Sequence, residues 1–189
     1  MKQQENGQFE SAQWVPYPVE LVFAFFANPA NLAHLMAPGL KTRMEDLRVV
    51  PAAARPVAAD PARRFQSMAA GVGSEIAISF RPVPWIPFRL RWRARIVEFV
   101  WNSHFADEQV RGPFAVFHHR HGIEAEARDG VEGTLVSDRI EFALPGGRVG
   151  AMANGLARRE LRQQFAVRQE RLPVILADAL RQAVRRAGA

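Results

Sequence analysis

Two histidines and an aspartate are the residues of this chain whose types and spacing best suit chemistry. His119 and His121 alternate with other residues in an aromatic segment, and Asp138 follows in the next extended segment. An imidazole beside a carboxylate can act as a general acid or base, can orient a bound ligand, or can hold a metal ion together with further donors. Each role requires the three side chains to lie on one face of the fold.

A predicted β-hairpin brings these three residues together. Asp129-Gly130 is a strong two-residue turn signal, because both central residues must adopt positive φ, and it joins predicted strands 114–126 and 133–144. The turn sets a register in which one face carries four cross-strand pairs: Phe117 with Phe142, His119 with Ile140, His121 with Asp138, and Ile123 with Val136. The other face is mostly charged. The hairpin is therefore predicted to bury an apolar face that contains an imidazole–carboxylate pair.

The other elements predict an antiparallel sheet and a long helix. Strands are predicted at 9–15, 43–50, 75–80, 88–99 and 104–110, with two short helices after the first strand and a long helix from about residue 149. Pro173 is predicted to kink or break that helix. In the 88–99 strand, Trp92 faces inward, and a turn at 101–102 puts Asp107 and Gln109 on the same inner face. This order predicts an α+β fold, a curved antiparallel sheet wrapped around a C-terminal helix.

Composition limits the function classes. A chain of 189 residues with 48% hydrophobic residues fits one globular domain, and the lack of cysteine excludes disulfides, thiolate metal sites and cysteine nucleophiles. No signal peptide or membrane-spanning segment is predicted, so we expect a cytoplasmic protein. Residues 148–189 hold nine arginines and three acidic residues, which accounts for the net charge of +6. This is typical of a solvated Arg-rich helix face, so nucleic acid is not the expected partner.

Two segments fall outside the regular pattern. Residues 51–66 are rich in Ala and Pro and are interpreted as an insertion loop, either a mobile surface loop or a lid. Residues 173–189 form a basic C-terminal extension. We assign both to a single domain spanning 1–189.

Motifs in the centre of the chain resemble a known superfamily. Asp107, Gln109, Gly112, Pro113, Phe114, Phe117, His119 and His121, then Gly133, Thr134 and Asp138, resemble the pattern of a bacterial ligand-binding, cyclase/dehydrase-like subfamily. That subfamily belongs to the START-like, or SRPBCC, superfamily of Bet v 1-like helix-grip proteins. The segments around Pro16–Phe23 and Phe165–Arg168 also match, so the resemblance covers most of 9–172. It implies the helix-grip fold and a cavity for a hydrophobic ligand between sheet and helix.

We therefore expect a protein that binds a hydrophobic or aromatic, lipid- or polyketide-like small molecule. The candidate ligand-binding residues are Trp92, Asp107, Gln109, Phe117, His119, His121, Asp138, Ile140, Phe142, Phe165 and Arg168. An internal cavity is predicted between Trp92, Phe117, His119, Ile140, Phe142 and Phe165.

Alternatives stay open for the polar residues. His121 and Asp138 are the candidates for acid–base catalysis in a cyclase or dehydratase, although no nucleophile motif lies nearby. A metal site of His119, His121 and Asp138 lacks an obvious fourth ligand, so neither a metal nor another cofactor is predicted. The same residues can form a purely structural network with Asp107 and Gln109. A partner protein that docks on the Arg-rich helix is a third function, and the sequence does not predict an oligomeric state.

Overall fold

A single seven-stranded antiparallel sheet forms the body of the protein. The computed structural model describes residues 7–65, 67–82 and 87–187. The strands lie in the order β1-β7-β6-β5-β4-β3-β2, so chain neighbours pair in space except where β1 joins β7. Their bounds are β1 Gly7–Val15, β2 Arg43–Arg48, β3 Glu75–Phe80, β4 Leu90–Val100, β5 His104–Arg111, β6 Val116–Ala125 and β7 Thr134–Ala143. The predicted antiparallel sheet is confirmed.

Four α-helices accompany the sheet. Their bounds are α1 Val19–Phe26, α2 Leu32–Leu35, α3 Arg148–Met152 and α4 Asn154–Ala187. α1 is almost entirely apolar, and Phe23 at its centre is fully buried. It packs with Ile123 and Val136 of the sheet and with Leu172 and Leu176 of α4. The fold is therefore the predicted helix-grip arrangement, with two short helices after the first strand and a long helix at the end.

α4 continues through Pro173, so the helix does not break at this residue, and a kink there stays a prediction. Proline lacks the N–H that would normally donate to the carbonyl of Gln169. Here the side chain of Gln13 donates to that carbonyl at 2.8 Å. The Tyr17 hydroxyl also donates to the Pro173 carbonyl at 3.2 Å. Residues of β1 and the loop after it therefore satisfy backbone groups around the proline, and the helix extends into the predicted basic tail.

α4 does not cover the whole sheet. Its main contacts are with β1, α1 and α2. Leu172 and Leu176 in its second half are fully buried, whereas Leu156 near its start is 71% exposed, although the sequence suggests an apolar anchor there. On the inner face of the sheet, Trp92 and Ala94 of β4 remain half-buried. Consequently the inner surface of the central strands is open to solvent in places.

Residues 51–65 lie over the turn between β4 and β5. The Trp101 indole donates to the carbonyl of Ala53 at 2.8 Å, and the Arg55 guanidinium lies 4.6 Å from the centre of the Trp101 ring. Arg63 forms two hydrogen bonds with Glu132, both of 2.6 Å. The predicted insertion thus contacts the β4–β5 turn and the β6–β7 connection. Whether it moves as a lid stays a prediction.

Among the described helices, none combines the length and the apolar character that crossing a membrane requires.

Candidate functional site

The β6–β7 hairpin holds the candidate residues in the predicted register. Asp129 and Gly130 have φ of 51° and 77°, and Arg128 and Val131 exchange backbone hydrogen bonds of 2.9 and 2.8 Å around them. His121 is the backbone partner of Asp138, and His119 is the partner of Ile140. All four predicted cross-strand pairs are present. The short turn therefore places two imidazoles and a carboxylate on the inner face.

Asp138 is the centre of the polar network. Its side chain is fully buried and forms a two-pronged ion pair with Arg168 of α4, in which Arg168 Nη1 lies 3.1 Å from Asp138 Oδ1 and Nη2 contacts Oδ2. His119 Nε2 lies 2.9 Å from Asp138 Oδ1. His121 Nδ1 lies 3.1 Å from the same oxygen, at an angle outside hydrogen-bonding geometry. The ion pair of Arg168 with Asp138 therefore links α4 to β7 of the sheet.

Asp107 of β5 extends this network to a third strand. Its Oδ2 lies 3.3 Å from His121 Nε2. The His121 ring also stacks on Phe105, with ring centres 4.3 Å apart, and lies 3.8 Å from the His119 ring centre. His121 is thus held between two carboxylates and against an aromatic ring. Its place in the site is defined by three neighbouring strands.

The environment drives the pKa values of the two histidines in opposite directions. Burial lowers the pKa of His119 below 6.5, and the neighbouring charge of His121 lowers it further. Burial also opposes protonation of His121, but its contacts with Asp107 and Asp138 outweigh that effect and raise its pKa above 6.5. Burial would raise the pKa of Asp138, yet Arg168 and the two imidazoles hold it well below the usual value. The site therefore favours the neutral form of His119 and the protonated form of His121 relative to a free imidazole.

The polar network is bordered by aromatic side chains. Phe165 of α4 packs on Phe9 of β1 at 4.9 Å between ring centres, and Trp92 packs edge-on against Phe117 at 4.7 Å. The His119 ring centre lies 6.0 Å from that of Phe165. The Trp92 indole Nε1 is buried and has no hydrogen-bond partner in the described part of the chain. The site combines an apolar wall with an unsatisfied indole donor and two imidazoles.

The predicted lining residues differ in how accessible they are. Ile140 and Phe142 are 1% and 0% exposed, so they form the floor of the aromatic cluster. The side chains of His119, His121 and Asp107 remain 12–16% exposed. Access to the site is therefore through the histidines and Asp107.

The predicted cavity is not confirmed. Phe117, Ile140, Phe142, Trp92 and Phe165 pack into one aromatic cluster rather than around an open space. Two surface hollows of the described residues lie elsewhere. One is beside Trp101 and the 51–55 segment, and the other lies on the outer side of β1, β6 and β7.

Gln109 and Arg168 have structural partners. Gln109 Nε2 donates to the carbonyl of Phe114 at 2.7 Å, and its Oε1 accepts from the Phe114 N–H at 3.3 Å. A Cβ on Gly112 would come within 2.1 Å of Gln109 Oε1, which explains the glycine of the motif. Arg168 neutralises the buried carboxylate of Asp138. Gln109 and Arg168 therefore hold Phe114 and Asp138 in place, and their polar groups are already occupied by these contacts.

Two features of the site were missed by sequence reasoning: Phe114 and Phe9 join the aromatic cluster. Asp107 lies on the inner face opposite Ile96, as the β4–β5 turn predicted, and contacts His121. Phe9 sits on β1, and a pairing of β1 with β7 cannot be read from local turns.

The chemistry that the site offers is acid–base chemistry, polar recognition or metal binding. Ser137 lies on the outer face against Gly122, so it is not a nucleophile for this site. One ligand atom from each of Asp107, His119 and His121 lies within 4.8 Å of the others, which makes this trio a candidate metal group. Asp107, rather than the predicted Asp138, is thus the third member.

Comparison with known proteins identifies the fold. Ara h 8.0201 superposes with a TM-score of 0.55 at 11% identity and covers 92% of this chain and 99% of its own. The protein CV1439 from Chromobacterium violaceum gives 0.52 at 14% identity, over 88% and 97% of the two chains. The fold is Bet v 1-like.

Other comparisons add no family. TTHA0849 from Thermus thermophilus gives a TM-score of 0.48 at 17% identity, over 96% of this chain and 99% of its own. No family model and no curated protein sequence matches the chain. The Bet v 1-like fold is therefore established by structure alone, and the function must be argued from the site.

Proposed function

We propose that the protein binds a hydrophobic or aromatic small molecule on the inner face of its Bet v 1-like sheet, between the sheet and α4. The strongest support is that the partly exposed imidazoles of His119 and His121 lie next to an aromatic cluster. In the described part of β6, these two histidines are the polar side chains of an otherwise apolar inner face. An apolar wall with a few placed polar groups is how small-molecule sites are usually built. The cytoplasm is the proposed location.

The binding surface follows from the packing of α4. Ala157, Leu161 and Phe165 of its first half are half-buried, while Leu172 and Leu176 of its second half are fully buried. Fewer buried contacts make the first half easier to displace. A ligand would enter there and separate Phe165 from Phe9. His119 would then meet a polar group of the ligand, and the free Trp92 N–H would donate a hydrogen bond to it.

Native mass spectrometry of the purified chain tests this proposal together with titration of the apolar dye anilinonaphthalene sulfonate. We expect a co-purified apolar molecule, or saturable binding of one dye molecule per chain. Leu161→Arg should abolish both co-purification and dye binding, because it places a charge in the entrance. Arg162→Leu, at the adjacent solvent-exposed position, should leave them unchanged. Dye binding that is absent, or equal in the wild type and Leu161→Arg, would contradict the proposal.

A second candidate function is supported by the opposite pKa shifts of the two histidines. Two neighbouring titratable groups whose pKa values are shifted in opposite directions often act as the acid and the base of one active site. Neutral His119 would remove a proton next to a carbonyl, and protonated His121 would donate a proton to a departing hydroxyl, which is cyclase or dehydratase chemistry.

Exchange of α-protons of a small aryl ketone in D₂O tests this second function, because it requires only the base. The wild type should accelerate the exchange, and His119→Ala should remove the acceleration. His118→Ala, on the outer face of the same strand, is the matched control. Equal rates with and without protein would rule out this chemistry for aryl ketones.

A further inference from the structure

We propose that Asp107, His119 and His121 form a binding site for one divalent transition-metal ion of the Zn²⁺ class, with Asp138 as the carboxylate that orients His119 and lies beside His121. This site goes beyond the proposed binding of an apolar molecule and does not depend on it. Its donor atoms come from β5 and β6, two paired strands of a rigid sheet.

The spacing of the donors suits a metal of this size. His121 Nε2 and Asp107 Oδ2 are 3.3 Å apart. Around a tetrahedral ion with bonds of about 2.0–2.2 Å, neighbouring donors are separated by roughly 3.3–3.6 Å. The widest separation within the trio is 4.8 Å or less. Binding would therefore draw the donors of the trio closer together, and the His119 side chain, at 13% exposed, lies at the accessible edge of the site.

The roles of the ring nitrogens follow from Asp138. His119 Nε2 and His121 Nδ1 both face Asp138 Oδ1, at 2.9 and 3.1 Å. We therefore assign His121 Nε2, which faces Asp107, and His119 Nδ1 as the nitrogens that would bind the metal. A carboxylate behind a metal-binding histidine is the usual way in which proteins set the tautomer and orientation of the ring. Here the buried Asp138 holds His119 by a hydrogen bond and lies within ion-pair distance of His121.

Asp138 itself is unsuited to bind the metal directly. Both of its oxygens already contact Arg168, so the charge of Asp138 is neutralised. Asp107 has no such partner among the described residues, and its side chain is 16% exposed. A metal ion binds imidazole in its neutral form and displaces any proton on His121. Asp107, Asp138 and Arg168 then carry one net negative charge. A divalent cation therefore suits both the charge and the donors.

The donor set also selects the class of ion. Two imidazoles and one carboxylate favour Zn²⁺ and neighbouring transition metals over Ca²⁺ and Mg²⁺, which prefer all-oxygen sites. Three protein ligands leave at least one coordination position open for water or for an oxygen of a small molecule. That position would face the partly exposed side of the trio.

Calorimetric titration of the full, chelator-stripped chain with Zn²⁺ tests the site, with the bound metal counted by elemental analysis after gel filtration. We expect one Zn²⁺ per chain, and no comparable binding of Mg²⁺. Asp107→Asn and His121→Gln should each lower the affinity at least tenfold. Binding of Co²⁺ should produce the visible absorption of a low-coordinate nitrogen–oxygen site.

Matched controls separate this site from surface histidines and from loss of fold. His118→Ala lies on the outer face of the same strand, and His34→Ala removes an exposed histidine; both should retain one Zn²⁺. Circular dichroism of the metal-free Asp107→Asn variant should match the wild type. The site is overturned if the wild type binds no Zn²⁺, or if Asp107→Asn and His121→Gln leave the affinity unchanged, or if the control variants lose it equally.

Discussion

His119 Nε2 hydrogen-bonds to Asp138 Oδ1 at 2.9 Å, although the backbone register places His121, not His119, opposite Asp138. The same kind of diagonal contact occurs between β6 and its other neighbour, β5. Asp107 is the backbone partner of His119, yet its hydrogen bond goes to His121 at 3.3 Å. Both polar contacts are diagonal, because long side chains reach the next residue of the same face. The two histidines are thereby linked to both carboxylates, and each of the three strands is tied to the next.

Removing the charge of Asp138 should destabilise the protein strongly. Asp138→Asn leaves the buried guanidinium of Arg168 without its counter-charge, and breaking a buried ion pair in this way costs about 3–5 kcal/mol. Glu141→Gln on the outer face of β7 is the matched control, because its contact with Arg139 is exposed and worth about 1 kcal/mol or less. Urea unfolding measures both. Similar losses in the two variants would show that burial of Asp138 does not matter.

The stability of the fold should decline as pH rises through the neutral range. The raised pKa of His121 means that its protonated form stabilises the native state; this contribution is complete below 6.5, the value in the unfolded chain, and is lost as pH rises through the folded-state pKa. The lowered pKa of His119 acts in the opposite sense, and its contribution is lost as pH falls below 6.5. His121→Gln should remove the decline on the alkaline side.

Urea unfolding at about pH 6 and about pH 9 measures this dependence. Titration of the imidazole signals by NMR provides an independent check, since the pKa of His121 should lie above 6.5 and that of His119 below it. An alkaline slope that is the same in the wild type and in His121→Gln would contradict the assignment.

A side chain at Gly130, in the turn that sets the register, should destabilise the protein. With φ of 77°, alanine at this position would lie in the left-handed region, which costs about 1–2 kcal/mol. Gly155 in α4 is the matched control, because a Cβ there meets nothing within 4 Å and its φ is not positive. Gly155→Ala should be neutral or stabilise the protein by up to about 1 kcal/mol. Thermal unfolding of both variants decides between these expectations.

Gln13 should matter for stability only because Pro173 lies in α4. Gln13→Ala removes the donor to the Gln169 carbonyl, with an expected loss of about 1 kcal/mol. In a Pro173→Ala background, the alanine N–H can donate to the same carbonyl, so the loss should shrink. A double-mutant cycle measures this coupling directly. Additive effects would mean that Gln13 stabilises the protein by another contact.

Local signals determined much of this protein. The Asp129-Gly130 turn set the β6–β7 register, and the alternation of apolar and charged residues assigned the two faces, because both depend on backbone periodicity rather than on distant contacts. The order of elements then predicted the helix-grip fold. The inward directions of Asp107, His119, His121 and Asp138 followed from the same periodicity.

Tertiary structure decided which polar atoms meet and what is open to solvent. The diagonal bonds of His119 and His121 depend on side-chain rotamers and on Arg168 reaching Asp138 from α4. The continuation of α4 through Pro173 depends on Gln13, which lies far away in sequence and contacts the helix only after β1 pairs with β7. The packing of Phe165 against Phe9, where an open cavity was expected, has the same origin. Contacts between remote segments follow from how whole elements pack, and no local pattern encodes them.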